Sequence, residues 1–135
     1  MTDSSSTIRL EHGAPGEEGM PFSSFVRAGD FIYLSGLVAL GDDQEIVSGG
    51  VGAETTKILD VADGILRKAG SSLKDVVKVS ICLANPSDFD EFNAVYAKYF
   101  TSKPPARATI CASLTIDAKV EIELTAYQPN GLQGS

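Results

Sequence analysis

Two stretches of helical periodicity, set between runs that alternate like strands, constrain this chain more than any other feature. From Val51 to Ala69, apolar or small residues recur at steps of three and four through Thr55, Ile58, Ala62 and Ile65. That spacing places side chains on one face of a helix. Leu59 and Leu66 widen the stripe, and Gly70 follows its last position as a stop. A second stripe, Phe89, Phe92, Tyr96 and Tyr99-Phe100, opens after Pro86-Ser87-Asp88, with Ser87 or Asp88 as N-cap, and ends at Lys103-Pro104-Pro105. Ser24–Arg27 and Asp30–Leu37 read as strands joined by Ala28-Gly29-Asp30, and Val76–Ala84 as a strand between the helices. Ala106–Leu114 and Lys119–Tyr127 follow as the last two. The order is ββαβαββ, an α/β (α+β) pattern in which two crossovers lay both helices on one face of one mixed sheet.

The 135 residues suit one domain with a real core. Residues 1–19 read partly as loop, with a short strand near Ser6–Leu10, and residues 128–135 as a frayed tail. No apolar run reaches the roughly 20 residues that span a bilayer, and the polar start lacks a signal-peptide pattern, so a cytoplasmic chain without a membrane partner is expected. The net charge of −7 repels phosphate backbones, and Arg9, Arg27, Arg67 and Arg107 fall in four separate segments, which argues against a nucleic-acid partner. Cys82 and Cys111 are expected free and buried. A catalytic triad would depend on His12 alone, the single histidine. Asp42-Asp43 and Gln44-Glu45 read as a solvated loop rather than a cation site. Gly49-Gly50-Val51-Gly52 lacks the Lys-Ser/Thr of a phosphate loop and reads as a helix start.

Strand side chains alternate between faces. Val77, Val79, Ile81 and Leu83 are expected to meet the helices, with Ala108, Ile110, Ala112 and Leu114, and Val120, Ile122, Leu124 and Ala126. The opposite face then carries Lys78, Ser80, Cys82 and Ala84; Arg107, Thr109, Cys111 and Ser113; and Glu121, Glu123, Thr125 and Tyr127. Its small, sparsely charged side chains suit close approach of a second copy, whereas a monomer would leave the face wet. The same alternation puts Arg107 and Glu121 on that bare face. A guanidinium fork binds a carboxylate bidentately, and a carboxylate can position or deprotonate water. The two could equally pair with each other or face solvent.

Several motifs resemble the YjgF/RidA family of reactive imine/enamine deaminases. They are Pro21-Phe22-Ser23-Ser24, Val26–Gly29, Ile32-Tyr33-Leu34-Ser35-Gly36, Ser87–Tyr96, Pro105-Ala106-Arg107-Ala108-Thr109 and Val120-Glu121-Ile122-Glu123. The resemblance runs from about Pro21 to Tyr127. It implies a chorismate-mutase-like fold and a homotrimer with active sites in clefts between subunits. The chemistry it implies is hydrolysis of C=N bonds in 2-imino acids and enamines, such as 2-aminoacrylate, to 2-keto acids and ammonia, with no metal or cofactor. By position, Arg107 matches the carboxylate-binding arginine and Glu121 the water-positioning glutamate. Ser35 and Gly36 match the substrate-cleft loop, Thr109 stands where many members have Cys and use the backbone carbonyl, and Asp88 or Asn93 borders the cleft. Phe22 stands in place of Tyr, Ser24 of Gln and Leu37 of Gln, which makes the cleft less polar; Phe22 and Leu37 would line an apolar wall.

The alternative is a non-catalytic module that binds a small carboxylate or keto acid in the same cleft. A ribonuclease, an activity ascribed to some relatives, is disfavoured by the acidic charge and the lack of a histidine pair.

Overall fold

The computed structural model describes residues 10–15 and 19–129. Among the described residues six strands form one sheet: β1 (Leu10–His12), β2 (Phe25–Ala28), β3 (Phe31–Leu34), β4 (Val76–Leu83), β5 (Ala106–Cys111) and β6 (Val120–Tyr127). Their order across the sheet is β1-β2-β3-β6-β4-β5. Only β4 and β5 pair in parallel; every other neighbouring pair is antiparallel. Two helices, α1 (Gly50–Lys68) and α2 (Phe89–Tyr99), join β3 to β4 and β4 to β5. The sheet is thus mixed, with two helices, as the alternation of patterns anticipates. Of the short strand expected near Ser6–Leu10, only Leu10 falls within the described residues, where it opens β1; the tail beyond Pro129 lies outside them.

The core lies between the helices and one sheet face. Ile58, Leu59, Ala62 and Leu66 of α1 and Phe92 of α2 are fully buried, as are Val79, Leu83, Val120, Ile122 and Ala126 of the sheet. Helix α1 ends in a Schellman turn: Gly70, at φ 87°, donates to the Arg67 carbonyl, and Ser71 donates to Leu66. At its other end no side chain of its own caps it; Glu91 of α2 instead accepts the Gly52 N–H at 3.2 Å. The glycine run is a helix start, as its sequence suggests, and a carboxylate of the neighbouring helix already occupies it.

Several expectations need correction. Strand β3 stops at Leu34 rather than Leu37, and β5 at Cys111 rather than Leu114. Asp88 takes the N-cap position of α2, as the sequence suggests, but neither it nor Ser87 makes a side-chain cap bond to that helix. A 3-10 turn, Pro86–Asp88, precedes that helix, and the Asn85 side chain caps the turn by accepting from the Ser87 N–H. Cys82 is half-buried and Cys111 exposed, because both lie at the helix-free side or end of the sheet rather than in the core. A register shift between Val76 and Lys78 turns Val77 out of the core, where it is 43% exposed.

The largest correction concerns β5. Its parallel register sets Arg107 opposite Val79 and Thr109 opposite Ile81, while Ala108 faces Ser80 and Ile110 faces Cys82. Directly paired residues share a face. Arg107 and Thr109 therefore lie on the helix side, and Ala108 and Ile110 on the open side, where Ile110 is 61% exposed. An Ala/Ile set is a weak inward signal on an edge strand. The long Arg stem can lie under a helix while its head reaches the rim.

Candidate active site

Arg107 sits on the sheet edge beneath α2, and its surroundings come from that helix's aromatic stripe. Its guanidinium carbon lies 4.8 Å from the Tyr96 ring centre, 5.5 Å from Phe92 and 5.8 Å from Phe89. Phe92 and Tyr96 are buried, whereas Phe89 is 41% exposed at the mouth. The stripe read as plain core packing is thus also a cage for a cation, since ring faces attract a guanidinium within about 6 Å. Among the described residues Arg107 makes no ion pair, so its charge is fixed in direction and not neutralised by a carboxylate.

Polar atoms without partners gather on the same side. Asn93 Oδ1 and Thr109 Oγ1 are buried and have no hydrogen-bond partner among the described residues. Buried polar groups are normally satisfied, and each that is not costs free energy. Burial pushes the Tyr96 phenol up from its ordinary value, although the charge of Arg107 and a side-chain hydrogen bond with it oppose that shift. Arg107 and Thr109 of β5 thus present one positive and one polar group on the helix side of the sheet, and Asn93 adds a buried polar atom on α2 itself. Asp88 is half-buried at the N-cap position of α2, and its N–H donates to the Asn85 carbonyl.

Glu121 stands elsewhere. Strand β6 pairs it with Cys82 and pairs Glu123 with Ser80, so both carboxylates project from the open face. The last strand carries no register shift against β4 at these positions, and Glu121 is the half-buried one of the two. With Ser80, Cys82, Ala108 and Ile110 they border a cavity of about 350 Å³ on that face. The shared face expected for Arg107 and Glu121 is therefore not found; within one chain they occupy opposite sides of the sheet, and the direct pairing that was open from sequence does not occur.

The loop after β3 shapes the surroundings of Glu121. Gly36 lies so close that a Cβ added there would collide with the Glu121 carboxylate. Leu37 exchanges both backbone hydrogen bonds with Ile122, at 2.8 and 3.0 Å, which fixes the loop beside β6. The Ser35 hydroxyl donates to the Ser23 carbonyl at 2.6 Å and so ties down the segment that carries Phe22. Phe22, Gly36 and Leu37 come together around a second cavity of about 440 Å³. The expected residues thus form two half-sites: Arg107, Thr109 and Asp88 near α2, and Phe22, Ser35, Gly36, Leu37 and Glu121 near the β3 loop. His12 lies on β1, at the sheet edge opposite β5, far in the strand order from Arg107.

Sequence reasoning missed Tyr96 as a partner of Arg107. A signal existed, since Phe89, Phe92 and Tyr96 share one helix face next to a strand that carries a lone Arg. It also missed Arg27, which is buried and donates to the carbonyls of Ala69, Gln128 and Gly29 at 3.1, 2.9 and 3.2 Å. Nothing in the local pattern marks it as internal.

A sequence model described as endoribonuclease L-PSP matches residues 14–128. The human 2-iminobutanoate/2-iminopropanoate deaminase is 38% identical over 117 residues, which cover 85% of this chain and 85% of its own. The chloroplastic Reactive Intermediate Deaminase A of Arabidopsis thaliana is 36% identical over 132 residues, 93% of this chain and 70% of its own. Among solved structures, RidA from an Antarctic Psychrobacter superposes with a TM-score of 0.77 at 31% identity, covering 90% of this chain and 98% of that one.

Proposed function

The chain belongs to the endoribonuclease L-PSP family, the YjgF/RidA group that its motifs resemble, and from that premise we propose that it is a deaminase whose active site is shared between two copies of the chain. The reaction is hydrolysis of a 2-imino acid, or its enamine tautomer, to a 2-keto acid and ammonia. The observation that carries this reading is the caged Arg107 guanidinium, an oriented cation with no carboxylate partner among the described residues.

In this reading the substrate carboxylate takes the two N–H groups of the Arg107 fork. Thr109 lies two residues further along β5 on the same face and borders the bound acid. Glu121, supplied by a second copy, accepts a proton from water as the water oxygen bonds to the imine carbon. The C=N π electrons move to nitrogen, which takes up the proton. The hydroxyl proton of the resulting carbinolamine then passes to its amino group, the C–N bond breaks, and ammonia leaves as C=O forms. Holding acid and water in register supplies a large share of the rate. No step requires a metal or cofactor.

A second copy is needed because Arg107 and Glu121 face opposite sides of their own sheet. The open face supports assembly: Phe31, Tyr33, Tyr127 and Ile110 are 38%, 47%, 45% and 61% exposed there, and an apolar patch of that kind on a sheet is a candidate interface. We assign the assembly as a homotrimer, following the family resemblance. The test generates 2-iminobutyrate or 2-aminoacrylate with an amino-acid dehydratase and follows keto-acid release. Acceleration by the wild type and loss of about a hundredfold or more in kcat/KM for Arg107→Ala are expected, as for removal of a charged hydrogen-bond pair. Equal rates for the two proteins would end the proposal. Keto-acid binding without turnover would instead select the binding-module reading, which the missing hydroxyl of Phe22 favours.

A further inference from the structure

The 440 Å³ cavity beside the β3 loop is larger than a small imino acid needs, and its walls are mostly hydrocarbon. Phe22, Leu37, Val38 and Leu40 line it, together with Val61 of α1. Val61 stands out on its own helix. It lies off the buried stripe formed by Val51, Ile58, Leu59, Ala62 and Leu66, and it is 37% exposed. An apolar β-branched residue on the outer face of a helix contributes nothing to the core, yet it borders this cavity. Lys57, one turn earlier, and Asp42 also line it, with opposite charges, and among the described residues neither makes an ion pair. The two therefore confer no net charge preference on a ligand.

Gly36 connects this cavity to the proposed chemistry. It belongs to the cavity wall, and its Cα side touches the Glu121 carboxylate, where a Cβ would collide. Gly36 thus stands between the Glu121 carboxylate and the cavity, so a substrate held at Glu121 would have to pass its side chain along Gly36 to reach it.

We propose that this cavity is the side-chain pocket of the enzyme and that Val61, with Leu40, determines specificity for 2-imino acids bearing bulky apolar side chains, branched or aromatic, over those derived from two- or three-carbon chains. The proposal rests on the deaminase reading for turnover, but the pocket itself can be read by binding. Hydrocarbon walls discriminate by buried area, and one or more additional carbons in an apolar pocket change affinity by about tenfold or more.

The experiment measures calorimetric affinity of the full-length protein for 4-methyl-2-oxopentanoate, phenylpyruvate and pyruvate, next to turnover of the imino acids generated from leucine, phenylalanine and alanine by an amino-acid oxidase. The expected result is tighter binding of the two bulky acids than of pyruvate by about tenfold or more. Val61→Trp, which fills the pocket, should collapse that ratio. Val61→Asp, which makes its wall polar, should also lower it, and circular dichroism establishes that each variant folds. Equal wild-type affinity for the three acids, or a ratio unmoved in both folded variants, overturns the proposal. Selective binding that depends on Val61, with no turnover of any imino acid, leaves the pocket standing and removes the deaminase reading instead.

Discussion

Arg107 and Glu121 lie on adjoining regions of one sheet but project from opposite faces of it. The register decides this: Arg107 pairs with Val79, whose side chain is buried under the helices, and Glu121 pairs with Cys82 on the open side. A sheet is a barrier that a small substrate cannot straddle, since its backbone is hydrogen-bonded throughout. Any reaction that uses both residues on one molecule must take them from different chains.

The aromatic cage around Arg107 makes separate statements about ring and hydroxyl. Tyr96→Phe keeps the ring and removes only the hydroxyl, so stability should change by no more than about 1 kcal/mol with KM unchanged. Tyr96→Leu removes the ring quadrupole, and KM should rise about threefold to tenfold with a smaller change in kcat. Thermal denaturation and initial rates check both. A larger loss in Tyr96→Phe would mean that the hydroxyl is more strongly bonded in the assembled protein.

Arg27 ties the C-terminus of α1 to the β2–β3 turn and the end of β6 through three carbonyls. A cation at a helix C-terminus also meets the negative end of the helix dipole. Arg27→Ala should lower unfolding free energy by about 2–4 kcal/mol. Arg27→Lys, which keeps the charge but not the fork, should fall between it and the wild type. Urea unfolding reads the difference, and a loss under about 0.5 kcal/mol in the alanine variant would refute the assignment.

Asp63 offers a pH signature. Burial raises its pKa, but the Arg67 hydrogen bond at 2.7 Å, the Leu73 N–H at 3.0 Å and the Arg67 charge together outweigh burial and leave it lowered. A carboxyl whose folded pKa lies below its unfolded one stabilises above the ordinary value of about 3.9 and loses that contribution as pH falls through the folded pKa. Arg67 is largely exposed, so the contribution stays below about 1 kcal/mol. Asp63→Asn should therefore unfold at lower urea than the wild type at pH 7, and the gap should close as acid is added below pH about 3.9. A gap constant down to acid pH would contradict the sign.

The sequence pattern made some elements legible and others not. Helix periodicity gave α1 to within a residue or two, because a 19-residue stripe has many positions that agree. The inward set of β6 was equally plain, since Val120, Ile122, Leu124 and Ala126 are all apolar and all buried. Strand β5 was misread because its two faces, Ala/Ile/Ala and Arg/Thr/Cys, differ little in hydrophobicity at a sheet edge; only pairing with β4 fixes them. Arg107 and Glu121 stand out in the sequence as residues able to carry chemistry, but their relation to each other depends on register, which is a long-range property. The Phe22, Gly36 and Leu37 group was legible by resemblance alone. Val61 was invisible, because a position off the helical stripe gains meaning only when a loop distant in sequence packs over it.

Subunit complementation tests the shared site most directly. Arg107→Ala and Glu121→Ala proteins, each inactive alone, are mixed in equal amounts, unfolded together and refolded, then assayed for imino-acid hydrolysis. If each site takes Arg107 from one copy and Glu121 from the next, random assembly rebuilds about a quarter of the wild-type sites, and activity should return to that level. Activity no greater than the sum of the two separate variants would contradict a site shared between copies.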